Sequence, residues 1–213
     1  MNRIEGNVTE LAPRSLAGTI VSATAPCWMC QTSLSARTAF CHECGTIQAS
    51  RGVDHFTRFG LDRRFDLDRD QLSGRYDAFK RVFLAERIGG KGPRQKQLAS
   101  DHLSAVEEAH TILRDPVRRA EYLLTLMDES SVAHAQLAVE AEMAELRGEL
   151  ENAADAVAID RVAHKARHGV EVCIRDLSGA FRQQAFSDVA IILARLAQLE
   201  DIAATARARR GDL

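Results

Sequence analysis

Four cysteines near the start of the chain have a spacing that would allow them to bind a metal ion. They form two C-x-x-C pairs, Cys27 with Cys30 and Cys41 with Cys44, and ten residues separate the pairs. Two such pairs can place four thiolates at the corners of a tetrahedron, about 2.3 Å from a zinc ion, which is the closed geometry of a structural site. The sequence therefore predicts a structural zinc knuckle over residues 26–50.

A redox dithiol and a pair of disulfides are the alternatives to zinc. A thioredoxin-like C-x-x-C belongs beside a βαβ pattern, which does not surround these pairs. Disulfides suit a secreted chain, but no apolar signal segment precedes Cys27. Zinc is therefore our preferred interpretation. His42 could also bind metal, but four sulfurs already complete the site, and Cys173 lies in a helical apolar pattern typical of a buried residue.

Composition favours packed helices over sheets. Hydrophobic residues make up 46% and aromatic residues 5% of the 213 positions. No apolar run of about 18 residues occurs, so we expect no membrane partner. The net charge of -2 gives no overall positive field for nucleic acid, and we expect no nucleic-acid partner.

Residues 1–25 lack periodicity, and we predict a disordered leader there. Acidic residues such as Glu5 argue against a mitochondrial presequence. We therefore expect a cytoplasmic location in a bacterial cell in preference to the mitochondrial matrix.

Apolar residues from residue 54 onward recur at helical spacing. Pro116 predicts that one helix ends before it and that another begins with it. A stripe from Val139 through Leu150 to Val157 opens a second set of helices. We predict an all-α fold with a helical hairpin unit over 54–127 and a three-helix bundle over 131–210, preceded by the zinc knuckle.

Two motifs and the cysteine pairs resemble the HscB-type J-domain co-chaperones of iron–sulfur cluster assembly. Residues 54–61 read D-H-F-T-R-F-G-L, which is similar to the family's D-Y-F-x-x-F-G-L. Residues 114–124 read R-D-P-V-R-R-A-E-Y-L-L, which is close to L-x-x-P-x-x-R-A-x-Y-L-L. The cysteine pairs resemble a zinc-binding extension found in eukaryotic and some bacterial members. The resemblance implies a J-like domain over 54–127 and a C-terminal bundle that binds the iron–sulfur scaffold protein.

The resemblance also implies a surface for a heat-shock ATPase chaperone on the second helix and the loop after it. The residues that it assigns there are Arg75, Lys80, Arg81, Leu84, Ala85 and Glu86. In J-domains this loop begins with His-Pro-Asp, whereas here Leu84, Ala85 and Glu86 occupy those places. Because proline is absent, we expect the helix to continue through Leu84 to Ile88. We expect docking to persist and ATPase stimulation to be weak or lost.

Residues 145–150 read E-L-R-G-E-L and are similar to the family's scaffold-binding E-L-R-E-E-L. The resemblance assigns scaffold binding to Glu142, Met143, Glu145, Arg147 and Glu149. The apolar positions just before this segment align in two ways. One alignment gives Glu140, Ala141 and Ala144, and a shifted one gives Ala138, Val139 and Glu142.

The sequence thus predicts an adaptor and not an enzyme, since no Ser-His-Asp or metal-hydrolase constellation is evident. The resemblance implies that it links an IscU-type scaffold to an ATPase chaperone of the HscA/DnaK type. The alternatives are a diverged J-like paralogue that only binds proteins and a zinc-knuckle regulator that binds nucleic acid. We also expect the knuckle to stabilise the junction with the first helix.

Overall fold

The computed structural model describes residues 24–35, 38–50, 52–84, 88–127 and 132–211. The predicted leader therefore lies outside the described residues, apart from its last two positions. Within the described ranges the chain forms one strand pair and seven helices: β1 Thr24–Pro26, β2 Ser33–Ser35, α1 His55–Phe59, α2 Arg69–Val82, α3 Pro93–Arg114, α4 Pro116–Leu126, α5 Val132–Glu151, α6 Ala156–Arg182 and α7 Phe186–Gly211. The predicted all-α fold is confirmed, with strands only in the knuckle. No described helix is long and apolar enough to cross a membrane.

The knuckle begins earlier than predicted. Strands β1 and β2 pair antiparallel, with Thr24 opposite Ser35 and Pro26 opposite Ser33. Because Thr24 already belongs to this pairing, the predicted boundary at residue 26 comes two residues late. We use "knuckle" below for residues 24–50.

Short acidic side chains fix where the helices begin. Asp54, Asp68, Asp115 and Asp155 each lie at an N-cap and accept backbone N–H groups of the first turn. At the α3–α4 junction, Asp115 Oδ1 accepts the N–H groups of Val117 and Arg118 at 2.8 and 3.0 Å. These caps explain why the predicted break at Pro116 is correct.

Helices α1–α4 form the hairpin unit, in which α2 and α3 pack against each other. Its core contains large side chains that solvent does not reach, including Phe56, Leu72, Leu113 and Leu123. The same hydrophobic core continues without a break into the bundle of α5–α7. The hairpin unit and the bundle therefore share one core.

Helix α2 ends at Val82, so the expected continuation to Ile88 is wrong. The Phe83 N–H still donates to Phe79 O and Lys80 O at 3.3 and 3.2 Å, but Phe83 itself leaves helical geometry. Its side chain is only 1% exposed because it turns towards the knuckle. Burial of this ring ends the helix without any proline. Residues 85–87 lie outside the described residues.

The predicted stripe that ends at Val157 is also wrong at its last position. Helix α5 ends at Glu151, and Asp155 caps a separate helix α6. The break changes the register, so that Val157 is 67% exposed and Ile159 is buried instead.

The hairpin unit meets the bundle at the segment between α1 and α2. The rings of Phe65 and Phe181 stack with centroids 5.1 Å apart. Next to them, Asp66 accepts a hydrogen bond from Ser178 Oγ at 2.7 Å and lies 3.3 Å from the Arg182 guanidinium. An apolar stack and a polar contact thus fix α6 against the hairpin unit.

Candidate metal centre and partner surfaces

The four cysteines that we predict to bind metal lie close together in the knuckle. Their sulfur atoms all lie within 4.8 Å of one another. The Cys27 and Cys44 sulfurs are 3.7 Å apart, and the Cys30 and Cys41 sulfurs are 3.6 Å apart. A tetrahedron with metal–sulfur bonds of about 2.3 Å has edges of about 3.8 Å. The sulfur spacing therefore fits a tetrahedral metal ion and is too long for disulfides, whose bond length is about 2.05 Å.

The two C-x-x-C pairs adopt the same local fold, which is how the sequence positions the sulfurs. Gln31 N–H donates to Cys27 O, and Gly45 N–H donates to Cys41 O, at 3.0 and 2.9 Å. The residue after each second cysteine has a left-handed backbone, with φ of 64° at Gln31 and 67° at Gly45. Each turn thus aims its two sulfurs at the same point.

Replacing Gln31 with glycine is expected to stabilise the knuckle by about 1 kcal/mol. A side chain disfavours positive φ, and Gly45 already removes that cost in the second turn. The effect is measured by titrating metal-loaded protein with a chelator and recording the chelator concentration that releases the metal, which we call the release point. Gly45→Ala should shift the release point in the opposite direction. Equal release points for Gln31→Gly and the unaltered chain would contradict the expectation.

Hydrogen bonds favour the thiolate at Cys27 and Cys44, whereas the surroundings of Cys41 favour its thiol. Burial raises the pKa of the Cys27 thiol, but the backbone N–H groups of Cys30 and Met29 outweigh it and lower the pKa to about 6. The Thr46 hydroxyl, 3.0 Å from Cys44 Sγ, lowers the pKa of Cys44. The Cys44 N–H lowers the pKa of Cys41, yet burial and the neighbouring sulfurs raise it to about 11. A cation bound among the four sulfurs would take the place of the proton on Cys41.

His42 does not join the sulfur cluster. Its imidazole lies on the surface, 3.8 Å from the Glu43 carboxylate. The metal-binding group identified among the described residues contains the four cysteines only. Cys173 is buried in α6, as its apolar pattern predicts.

The knuckle docks on α3, on the residue that follows α2 and on α1. The ring of Phe40 stacks on Phe83 at 5.3 Å, and the Arg94 guanidinium lies 4.0 Å above the ring of Trp28. Contact with α1 includes a 2.9 Å hydrogen bond from Arg58 Nη1 to Ser50 Oγ. The junction with the first helix is thus one of three contacts of the knuckle, and its stabilisation by the knuckle stays a prediction.

The predicted chaperone-binding residues differ in how available they are. Arg75 Nη1 donates to the Phe59 and Gly60 carbonyls at the end of α1, so its guanidinium has a structural role. Lys80 lies 5.1 Å over the ring of Tyr76, and Arg81 is exposed. Leu84 is 45% exposed. Ala85 and Glu86 lie outside the described residues.

The predicted scaffold-binding residues also differ in how exposed they are and in whether they have an ion-pair partner. Met143 is 6% exposed and packs in the core, so its assignment to an exposed docking surface is wrong. Glu142 pairs with Arg195 at 2.9 Å, and Glu149 pairs with Lys165 at 2.7 Å. Glu145 is exposed and Arg147 half-buried, and neither has an ion-pair partner among the described residues.

Burial on α5 also decides between the two alignments of the preceding positions. Val139 is buried in the core, so the shifted set cannot form an outer surface. Glu140, Ala141 and Ala144 are all exposed. With Glu145 they form what we call the α5 outer face, whose apolar part consists of two alanine methyl groups.

Comparison with known proteins finds co-chaperones named HscB among the similar proteins. No model of a protein family matches the chain. Over 74 residues the chain is 36% identical to the co-chaperone protein HscB of Proteus mirabilis, a match that covers 35% of this chain and 43% of that protein. Over 182 residues it is 25% identical to the iron–sulfur cluster co-chaperone protein HscB homolog of Arabidopsis thaliana, covering 83% of this chain and 71% of that protein.

Solved structures of two HscB proteins share the fold. The human co-chaperone protein HscB superposes with a TM-score of 0.76 at 22% identity, over 88% of this chain and 100% of that chain. The chaperone HscB from Vibrio cholerae superposes with a TM-score of 0.63 at 26% identity, over 76% of this chain and 99% of that chain. Over both the hairpin unit and the bundle the chain is therefore similar in sequence and in fold to HscB co-chaperones.

Proposed function

We propose that this chain is a co-chaperone of iron–sulfur cluster assembly that brings a scaffold protein to a heat-shock ATPase chaperone. The match over 182 residues to the Arabidopsis iron–sulfur cluster co-chaperone homolog carries the proposal, because a match of that length includes both the hairpin unit and the bundle. A chain with two such units can hold one partner on each. The proposal assigns no catalytic step to the chain itself.

The end of α2 supports the chaperone half of this proposal. Lys80 and Arg81 have no ion-pair partner among the described residues, and Val82 and Leu84 expose apolar side chains next to them. Unpaired cations steer an acidic partner towards the surface, and an apolar side chain buried on contact supplies affinity. An aliphatic Leu84 cannot make the charge-assisted hydrogen bonds that depend on exact placement. Docking without ATPase stimulation follows from this combination.

Single-turnover ATP hydrolysis by the cognate chaperone tests this half. With saturating co-chaperone, the rate is expected to stay within about twofold of the basal rate, since Leu84, Ala85 and Glu86 occupy the places of His-Pro-Asp. The triple variant Leu84→His, Ala85→Pro, Glu86→Asp is expected to accelerate hydrolysis about tenfold. Several-fold acceleration by the unaltered chain would refute the loss of stimulation.

The α5 outer face supports the scaffold half of the proposal. Its acidic side chains can meet a basic partner, but two methyl groups supply little of the apolar burial that usually dominates an interface. We therefore expect scaffold affinity to depend on charge more than on apolar anchors, and to fall as salt is added.

Two matched substitutions on α5 compare an acidic residue that has no ion-pair partner among the described residues with one that has such a partner. Glu145→Ala is expected to weaken scaffold binding about threefold, because Glu145 is exposed and unpaired. Glu149→Ala should leave the affinity unchanged, because Lys165 already holds that carboxylate at 2.7 Å. Calorimetric titration of scaffold into each variant measures both. A larger loss of scaffold affinity for Glu149→Ala than for Glu145→Ala would contradict docking on the α5 outer face.

We further propose that the ion in the knuckle is zinc. Four sulfur ligands with no open position suit a tetrahedral structural zinc ion, which would supply folding free energy and no chemistry. Elemental analysis of purified protein is expected to find one zinc per chain. Iron at that ratio would contradict the assignment, since thiolate tetrahedra also suit iron. A bacterial cytoplasmic location stays a prediction.

A further inference from the structure

A path of direct contacts leads from a sulfur of the metal site into helix α3. The buried Gln48 donates from Nε2 to Cys27 Sγ at 3.3 Å and to Thr46 O at 2.9 Å. The backbone oxygen of the same residue lies 2.8 Å from His102 Nε2, and the His102 side chain is also buried. Because a carbonyl oxygen only accepts, this imidazole nitrogen carries the proton and donates it. Gln48 thus joins the sulfur cluster to α3.

The path continues from His102 to the segment between α2 and α3. The rings of His102 and Phe83 stack with centroids 4.9 Å apart and planes 10° apart. On its other side Phe83 stacks on Phe40 of the knuckle. Phe83 therefore lies between a ring of α3 and a ring of the knuckle.

Both ends of this segment are packed against the knuckle. We use the name α2–α3 connection for the described residues between α2 and α3, which are Phe83, Leu84 and residues 88–92. Ile47 of the knuckle forms a buried cluster with Phe83, Ile88 and Ala99, and this cluster is separate from the main core. The anchors of the connection thus take much of their apolar contact from the knuckle.

The knuckle has little besides the metal site to keep it folded. Its two strands have three residues each. Its own buried cluster consists of Cys27, Leu34 and Cys41, two of which are predicted metal ligands. A unit this small without a metal or disulfides rarely has enough core to fold. Loss of the ion would therefore also remove Phe40 and Ile47 from their places.

We propose that Gln48 and His102 are positioning residues that transmit the state of the metal site to the α2–α3 connection. The connection keeps its position while the four cysteines hold metal and is released when the metal is lost. Lys80 and Arg81 lie at the end of α2 and Leu84 lies in the connection, so metal loss also weakens chaperone docking. That last consequence rests on the proposed function, whereas the coupling within the chain does not.

Hydrogen exchange of the full chain, with and without a zinc chelator, tests the coupling without any partner. The informative amides are Phe83 N–H, bonded to Phe79 O and Lys80 O, and Lys91 N–H, bonded to Ile88 O. Chelation is expected to speed their exchange about tenfold, while amides in the middle of α6 stay unchanged. Faster exchange confined to residues 24–50 would overturn the proposal.

Two histidine variants of α3 separate transmission from a general loss of stability. His102 stacks on Phe83 of the connection, whereas His110 stacks on Tyr76 of α2 at 4.1 Å. With metal bound, His102→Leu is expected to speed exchange at Phe83 and Lys91 at least about fivefold, and His110→Leu to leave it unchanged. Elemental analysis of each variant verifies that the metal is retained. Equal exchange rates at the Phe83 and Lys91 amides in the two variants would overturn the role of His102.

Discussion

Removal of the metal is expected to unfold the knuckle while the bundle of α5–α7 stays folded. Structural zinc sites in small domains contribute about 10–16 kcal/mol of apparent binding free energy, which is folding free energy when no preformed site exists. The buried cluster of the knuckle contains two of the four cysteines, so little apolar packing remains without the ion. The bundle shares one large core with the hairpin unit, and no described residue of the knuckle belongs to that core.

Tryptophan emission measures this loss, because Trp28 is the only tryptophan in the chain. Its indole N–H donates to Ile47 O at 2.7 Å, and Arg94 covers its ring. Chelation is expected to shift the emission to the red and to lower the melting temperature of the protein. Cys41→Ser should give the same spectrum without chelator, and the control Cys173→Ser should keep one ion per chain. An unchanged spectrum after the metal has left would show that the knuckle folds on its own.

Replacing Arg119 with alanine is expected to destabilise the protein by about 3 kcal/mol. Arg119 is buried in α4, where its Nη1 donates to Leu113 O at 2.6 Å and its guanidinium lies 4.8 Å over the ring of Phe65. A hydrogen bond from a charged donor contributes about 1.5–3 kcal/mol, and a desolvated cation–π contact about 2 kcal/mol. The substitution also leaves a carbonyl near the end of α3 without its donor.

Urea unfolding followed by circular dichroism measures the Arg119→Ala effect, with Arg118→Ala as the control. Arg118 is the neighbouring residue of the same helix but is exposed, so its loss is expected to change the free energy of unfolding by less than about 0.5 kcal/mol. Similar losses for the two variants would mean that the buried contacts of Arg119 contribute little.

The contacts of Arg119 also explain the most specific motif in the sequence. In the stretch 114–124, Asp115 caps α4, Arg119 holds the end of α3, and Leu123 is fully buried. The Tyr122 hydroxyl accepts the His55 N–H at 3.0 Å and so joins α4 to the start of α1. The motif is therefore structural, which is why it predicted the fold more reliably than the partners.

Sequence reasoning predicted the features that depend on local chemistry. The cysteine spacing located the metal site, and Pro116 located the α3–α4 junction, because ligand geometry and backbone restriction act within a few residues. The end of α2 could not be predicted in this way. Phe83 leaves the helix because Phe40 and His102, distant in the sequence, stack on both sides of its ring.

The errors at the partner surfaces have the same origin. The sequence pattern placed Met143 both in the apolar stripe and among the docking residues, and only the packing of the bundle decides that it is buried. Arg75 looked like a free surface cation until the carbonyls at the end of α1 were found beside it. Gln48 was missed because a polar residue after a C-x-x-C pair gives no local signal of burial. His102 gave one signal, its position within an apolar stripe.

Sedimentation velocity of this chain mixed with the scaffold protein and the ATPase chaperone tests the adaptor role most directly. We predict a complex that contains all three proteins and that disappears when this chain is left out. Sedimentation of this chain as a free species, with neither protein bound at concentrations of tens of micromolar, would contradict the account.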